Sequence, residues 1–283
     1  MTQPRPIISS VSDAERWVAV YRAIESERAD ALFRDPLAGM LAGEVGRVIA
    51  AETRAVMGEH GWPIVARTRL IDDMVEAAVG AGCDRVINMA AGLDTRPYRL
   101  ALPHDLLWIE ADLPALLAEK NQLLEYVPPR CRLIRRAVDL ADPLARRLFL
   151  DDALDGAARA LVITEGLVGY LRPEEVAQLA IDFRRAEIAE WVVDILSVAI
   201  ARRLERSGAG LLSRAPFTFT PADGVGFFEH HQWNVLEIES ILRAASRFRR
   251  LSPMYRFLST LPQPNPRGPG TRIPWSAVVR LTH

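Results

Sequence analysis

The chain has 283 residues, of which 49% are hydrophobic and 25% charged, and these ordinary globular values predict one large α/β domain. Its 35 basic and 36 acidic residues give a formal net charge of -1. No basic surplus is present to neutralise phosphates, so we expect no nucleic-acid partner. The most apolar stretch, residues 191–201, is too short to span a bilayer and contains Asp194, so we expect no membrane anchor.

The cysteines and the N-terminal segment indicate a cytoplasmic protein. Cys83 and Cys131 lie beside apolar runs and have no metal-ligand spacing, so we predict buried free thiols and no metal site. Residues 1–10 lack the apolar core of a signal peptide.

Helical patterns dominate the first part of the chain. Apolar residues at helical spacing predict helices over residues 12–33, 36–52 and 64–79. The third helix stops at Gly80 and Gly82, because glycine is favoured just past a helix end. Residues 1–82 are therefore predicted to form a helical cap that precedes the first strand.

Short apolar runs then alternate with helical segments. The predicted strands have few polar residues, as expected of strands covered on both faces, and span residues 85–90, 106–110, 132–138, 160–164 and 191–196. The helices between them are predicted over residues 113–124, 143–150 and 173–185. This alternation predicts right-handed βαβ units and a doubly wound, mostly parallel sheet as the cofactor-binding core, residues 83–196.

The pattern loosens after residue 196. Residues 197–233 predict a helix and then a loop rich in proline and glycine, which we interpret as a lid insertion that helps to bind substrate. The last segment, residues 234–283, predicts a helix over 235–245 and strands over 248–251 and 275–281. All segments together, residues 1–283, are predicted to form one domain.

Small and acidic residues follow the first two predicted strands. In an open parallel sheet, ligands bind at the carboxyl ends of the strands, near the point where strand order reverses. Ala90 and Gly92 lie in the turn after the first strand, where small residues let a ligand approach the backbone. Asp112 follows the second strand about twenty residues later, where a carboxylate can accept both hydroxyls of a ribose.

Two further acids follow the third and fourth strands. Asp139 can accept from an adenine amino group, with Leu140 against the ring. Glu165 ends a buried strand, where an unpaired charge is costly, so it needs a cationic partner such as a cofactor ammonium or sulfonium. Simpler alternatives remain: Asp112 and Asp139 as helix caps, and Glu165 in an internal ion pair with an arginine. Acids at the ends of successive strands favour a nucleoside site.

Several segments resemble the leucine carboxyl methyltransferase family, in particular its bacterial branch of small-molecule and polyketide O-methyltransferases. They include VINMAAGLDTRPYRL, WIEADLPALLAEK, ARTRLIDDM, ITEGLVGYLRPEEV, RAIESERADALFRDPLA and the later PMYR. The resemblance runs over most of the chain. It implies a class I methyltransferase with a Rossmann-like fold that uses S-adenosylmethionine as cofactor.

The resemblance also implies roles for individual residues. It assigns the cofactor's carboxylate to Arg67, whose planar guanidinium can pair with it bidentately. The remaining implied contacts are Ala90 and Gly92 along the methionine portion, Asp112 at the ribose, Asp139 and Leu140 at the adenine, and Glu165 near the amino end; Leu113, next to Asp112, is also expected to bind the cofactor. Many relatives have glycine where this chain has Ala90, so we expect the methionine tail to shift slightly outward.

The acceptor side of the site is less readable. A carboxylate acceptor is already ionised at pH 7 and needs no base, whereas a phenol benefits from one. His231 is the candidate base, and the alternative is that it is an exposed loop histidine. The remaining residues expected to face the substrate are Tyr21, Arg22, Tyr170, His230 and Trp233.

Other functions compete with methyl transfer to oxygen as explanations of this sequence. A nicotinamide-dependent dehydrogenase requires GxGxxG for its pyrophosphate, whereas this turn reads AAGLDT. A C- or N-methyltransferase, or a non-catalytic nucleoside-binding protein of the same fold, remains as an alternative. We predict an O-methyltransferase that acts on a carboxylate or hydroxyl of a small molecule, and the family resemblance implies a place in secondary metabolism; its oligomeric state stays open.

Overall fold

The structure is a computed structural model that describes residues 11–57, 60–206, 217–268 and 273–283. Three helices precede the first strand, as the sequence predicts: α1 (Val11–Ser26), α2 (Ala38–Met57) and α3 (Trp62–Gly80). The prediction for α1 extended too far, to residue 33. The chain leaves the helix after Ser26 because the Glu25 carboxylate accepts the amide of Leu32 at 2.7 Å and folds the following turn back.

The described residues form one seven-stranded sheet with strand order β3-β2-β1-β4-β5-β7-β6. Its strands are β1 (Arg85–Met89), β2 (Leu107–Asp112), β3 (Arg132–Ala137), β4 (Ala160–Thr164), β5 (Ile188–Leu196), β6 (Asn234–Ser240) and β7 (Ser276–Thr282). Strands β1 to β5 are parallel, and β7 is antiparallel to both of its neighbours. Strand order reverses at β1, which pairs with β2 on one side and β4 on the other. The predicted doubly wound sheet is confirmed.

Helices cover both faces of this sheet. The remaining helices are α4 (Arg96–Arg99), α5 (Pro114–Leu123), α6 (Pro143–Leu154), α7 (Pro173–Asp182), α8 (Val198–Arg206), α9 (Gly226–His230), α10 (Ile241–Arg247) and α11 (Pro253–Thr260). Adjacent residues of β1 point to opposite sides: Ile87 joins a core cluster with α6, α7 and α9, and Val86 joins one with α3 and α10. The central parallel strands β1 and β4 are therefore buried on both faces, which explains their apolar runs.

The predicted helix over residues 235–245 is wrong. Residues 234–240 form the edge strand β6, and only then does α10 begin, with the Ser240 hydroxyl as its cap. A bulge between Val235 and Glu237 places Val235 and Ile238 on the same face of β6, against the core. That spacing of three residues imitates a helical period and explains the error.

The predicted strand over residues 248–251 is also wrong. Arg249 adopts a left-handed φ of 58°, and the amide of Arg250 donates to Ala245 at 2.8 Å, so the segment closes the end of α10. Helix α11 follows, and the sequence did not predict it. Strand β5 begins at Ile188, three residues before the predicted start, because it continues along β4.

The predicted lid segment is only partly described, because residues 207–216 lie outside the described ranges. Phe219 and Phe228 are almost fully buried in the core cluster that contains α9. These aromatic side chains therefore pack the segment onto the sheet. Along the described ranges, no helix has both the length and the apolar composition needed to cross a bilayer.

Helix α6 offers a matched test of this packing. Leu150 is fully buried against the sheet, whereas Leu148 on the same helix is 60% exposed. We expect Leu150→Ala to lower the free energy of unfolding by about 2–5 kcal/mol, because it removes buried methyl groups and leaves a cavity. Leu148→Ala is expected to change it by less than about 0.5 kcal/mol. Urea denaturation measures both, and equal effects would contradict the placement of α6.

Candidate functional site

The turn after β1 lies at the carboxyl edge of the sheet and is unusually tight. Ala90 and Gly92 both have positive φ, 55° and 48°, a region that favours glycine. A β-carbon built on Gly92 would lie 2.3 Å from the carboxyl carbon of Glu15, so only glycine fits there. The alanine at position 90 costs about 1–2 kcal/mol of left-handed strain, which a glycine would avoid.

Asp112 is the last residue of β2 and ties this turn to the next one. One carboxylate oxygen accepts the amide of Gly92 and the other accepts the amide of Leu113, each at 2.7 Å. The side chain does not cap α5, whose N-cap is Leu113 without a side-chain bond. Asp112 is 5% exposed, and burial raises its pKa above the ordinary value. Each oxygen retains a lone pair for a ligand hydroxyl.

The segment after β3 continues the same edge. The amide of Val138 donates to the carbonyl of Asp112 at 2.9 Å, so Asp139 follows directly beside the Asp112 turn. Asp139 is exposed and accepts the amide of Ala141 at 3.0 Å. The cap of α6 is Asp142, so Asp139 does not serve in that role. Leu140 is half-buried against the core.

Glu165 follows β4 and is held by two arginines. Arg67 from α3 lies 3.0 Å from one oxygen, and Arg96 donates to the other at 2.8 Å. Arg67 also donates to Asp194 near the end of β5 at 2.9 Å. Burial would raise the pKa of Glu165, but Arg96 and Arg67 outweigh it and lower that pKa. The internal ion pair considered from the sequence is therefore present, and it brings Arg67 and Glu165 together.

Arg96 is the centre of a buried ionic cluster beneath this edge, which sequence reasoning missed. It is 1% exposed and donates to Asp72 of α3 at 2.7 Å, to Asp94 at 2.9 Å and to Glu165. Burial would raise the pKa of Asp94, but Arg96 and neighbouring cations hold it well below its ordinary value. The signal was available, since charged residues in a turn between two buried strands need partners inside the protein.

Tyr21 and Arg22, which were predicted to face the substrate, are buried residues of α1. Tyr21 is 1% exposed and packs edge-on against Trp17, and its hydroxyl has no hydrogen-bond partner within the described ranges. Arg22 is 6% exposed and donates to the carbonyl of Leu93 at 2.6 Å. It therefore clamps α1 onto the turn after β1.

Tyr170 lies at the carboxyl edge, in the short turn after β4. Its ring stacks on Phe217 with centroids 5.0 Å apart, and the residue is 39% exposed. Burial raises the pKa of its hydroxyl to about 12, and Arg67, Glu15 and Asp194 are the charges that act on it. Beside the end of β5, a cleft with an empty volume of about 360 Å³ is lined by Leu196, Ser197, Thr220, Asn265 and Trp275, among others.

Within the described residues, none of His230, His231 and Trp233 contacts Asp112, Glu165 or Arg67. Asn234 pairs through Thr282 of β7 with Glu190 at the start of β5, so the residues just before Asn234 lie near the amino ends of the parallel strands. Trp233 is buried there and donates to Ala180 at 2.9 Å. His231 bonds the carbonyl of Phe227 at 2.8 Å, and His230 is an exposed partner of Asp223. The prediction of His231 as a base has no geometric support.

The buried cluster generates a test of stability against pH. Because the folded pKa of Asp94 is depressed, its stabilisation is present above the ordinary value of 3.8 and is lost as the pH falls below it. We expect Asp94→Asn to destabilise the fold by about 3 kcal/mol at pH 7, since Arg96 loses a buried partner. We also expect the variant to lose less stability than wild type between pH 5 and pH 3.

Urea titrations at several pH values measure both effects. Asp105→Asn, which changes an exposed carboxylate in the loop before β2, serves as the control. An acid dependence in Asp94→Asn as steep as that of wild type would contradict the role given to this carboxylate.

Comparison with known proteins agrees with this architecture. The family model described as leucine carboxyl methyltransferase matches residues 16–183. A protein of Streptomyces coelicolor, provisionally named an S-adenosyl-L-methionine-dependent methyltransferase, is 33% identical over 93% of this chain and 93% of its own length. A similarly named protein of Streptomyces avermitilis is 32% identical over 83% of this chain and 87% of its own.

Among solved structures, a methyltransferase from Thermobifida fusca is similar in fold, with a TM-score of 0.56 at 16% identity over 94% of both chains. The predicted cofactor and the resemblance seen in the sequence are confirmed. The chain belongs to the leucine carboxyl methyltransferase family and is an S-adenosyl-L-methionine-dependent methyltransferase with a class I fold.

Proposed function

We propose that this enzyme methylates an oxygen of a small-molecule acceptor, and that a carboxylate, as in acidic secondary metabolites, is the acceptor it suits best. One observation carries this proposal. Along the described ranges, no histidine forms a hydrogen bond or ion pair with Asp112, Glu165, Arg67 or Arg96, and the predicted base His231 is bound to the carbonyl of Phe227. A carboxylate is already ionised at pH 7 and needs no base.

The residues at the carboxyl edge fit the cofactor. Gly92 has no β-carbon, and the space that one would fill holds the Glu15 carboxyl, so the methionine chain is proposed to pass beside both residues. Asp112 can accept ribose hydroxyls on the lone pairs that its backbone contacts leave free. Arg67 contacts Asp194 and Glu165 through two of its nitrogens, which leaves N–H groups for the cofactor's carboxylate. These features support the binding roles expected of the three residues.

The remaining roles follow the order of the strands. Asp139 and Leu140, beside Asp112, are proposed to hold the adenine, with a carboxylate for its amino group and an apolar side chain for its ring. Glu165, between Arg67 and Arg96, is proposed to lie near the cofactor's amino end. The positions proposed for Asp139, Leu140 and Glu165 rest on the parallel sheet, because these residues come directly after parallel strands.

The acceptor is proposed to lie between Tyr170 and the cleft at the end of β5. The stack of Tyr170 on Phe217 offers an apolar wall for the acceptor. The bound cofactor supplies an electrophilic methyl on a sulfonium. The chain's contribution is to hold donor and acceptor in line and to exclude water, which accounts for a large share of such rate enhancements.

Methyl-labelled cofactor tests the choice of acceptor atom. The enzyme is incubated with the labelled cofactor and paired acceptors that differ only in carrying a carboxylate or a phenol. We expect label to enter the carboxylate member as a methyl ester, which mild alkali releases as volatile methanol. Label that survives mild alkali would contradict the carboxylate proposal.

Asp112 provides the test of the cofactor site. We expect Asp112→Asn to weaken binding of S-adenosylhomocysteine by about 10- to 100-fold, because a ribose hydroxyl loses an anionic acceptor. Isothermal titration calorimetry measures this, with Asp105→Asn as the control and circular dichroism to verify folding. Unchanged affinity in Asp112→Asn would contradict the site.

A further inference from the structure

Glu15 of α1 places its carboxyl directly over Gly92, a position that the sequence did not reveal. A β-carbon built on Gly92 would lie 2.3 Å from the Glu15 carboxyl carbon and 2.3 Å from one of its oxygens. Arg22, seven residues later, lies on the same face of α1 about two turns along and clamps the helix to the same turn. The Glu15 carboxyl therefore fills the space directly above Gly92 and borders the path on which the methionine portion of the cofactor is proposed to run.

The charges around Glu15 leave this space short of cations. Two acids act on the Glu15 carboxyl: Asp112 at the end of β2 and Glu165 after β4. Two arginines also act on it, Arg67 of α3 and Arg22 of α1. Both arginines already serve other acceptors: Arg67 pairs with Glu165 and Asp194, and Arg22 with Asp35 and the carbonyl of Leu93. Burial first, and then Asp112, raises the pKa of Glu15 to about 7. A cation brought into this space would relieve the imbalance.

We infer that Glu15 is the anionic residue that recognises the positive charge of the cofactor, and that it makes the site prefer the sulfonium cofactor over its neutral thioether product. The inference rests on the proposed position of the cofactor at this edge. S-adenosylmethionine carries a net positive charge, whereas S-adenosylhomocysteine has the same ammonium and carboxylate but no sulfonium. A carboxylate beside the methionine chain favours binding of S-adenosylmethionine over S-adenosylhomocysteine, and so helps the product to leave.

This arrangement links cofactor binding to a proton. With a pKa of about 7, Glu15 is about half protonated at pH 7 in the free enzyme. A cation beside it favours the ionised form, so binding of S-adenosylmethionine is accompanied by release of about half a proton at pH 7. S-adenosylhomocysteine, which lacks the sulfonium, releases less.

Calorimetric titration of the intact enzyme tests both consequences. Wild type and Glu15→Gln are titrated at pH 7 with S-adenosylmethionine and with S-adenosylhomocysteine, each in phosphate and in Tris, whose ionisation enthalpies differ. We expect Glu15→Gln to weaken the binding of S-adenosylmethionine about tenfold, which corresponds to about one pKa unit of interaction. The binding of S-adenosylhomocysteine is expected to weaken less than about threefold. We expect proton release in the variant to vanish.

Glu27→Gln, an exposed glutamate just beyond α1, is the matched control and should keep wild-type affinity and proton release. Circular dichroism checks that Glu15→Gln folds, and proton release by wild type needs no variant at all. If Asp112→Asn weakens binding but Glu15→Gln changes neither the affinity ratio nor proton release, the role of Glu15 is overturned while the site stands. If Asp112→Asn has no effect, the site and this inference fall together.

Discussion

The buried guanidinium of Arg96 is the interaction on which the candidate site depends. It joins Asp94 in the turn after β1, Asp72 on α3 and Glu165 after β4. A charge so deeply buried is tolerated only because carboxylates surround it, and removing one carboxylate leaves the charge of Arg96 partly uncompensated. The cluster thereby fixes the relative positions of the three elements that border the carboxyl edge. Glu165 in turn pairs with Arg67, the arginine proposed to bind the cofactor, and so orients it.

The sheet was predictable because its signals are local and strong. Strands β1, β2 and β4 are mostly apolar, and small or acidic residues such as Gly92 and Asp112 mark where β1 and β2 end. The C-terminal third was not, because its pairing is non-local. Strand β6 depends on β7, some forty residues later, and the bulge after Val235 disguises its alternation. Short edge strands of this kind carry little signal in their own residues.

The site divides in the same way. Residues that follow a strand, such as Asp112, Asp139 and Glu165, could be proposed from the sequence because topology alone brings strand ends together. Glu15 and Asp194 were missed, since one reaches the edge from a helix seventy-seven positions before Gly92 and the other lies inside a strand. The position of His231 could not be predicted from the sequence for the opposite reason. His231 has suitable chemistry, but pairing of β6 with β7 carries it to the amino edge, and no local pattern shows this.

The central claim is that the turn after β1, with Asp112 beside it, holds the cofactor. A crystal structure of the enzyme with S-adenosylhomocysteine tests it most directly. The account predicts ribose hydroxyls within hydrogen-bond distance of the Asp112 carboxylate and the homocysteine chain passing over Gly92, between Glu15 and Arg67. Ligand density elsewhere, for example in the cleft beside Trp275, with the Asp112 carboxylate contacting only the amides of Gly92 and Leu113, would contradict it.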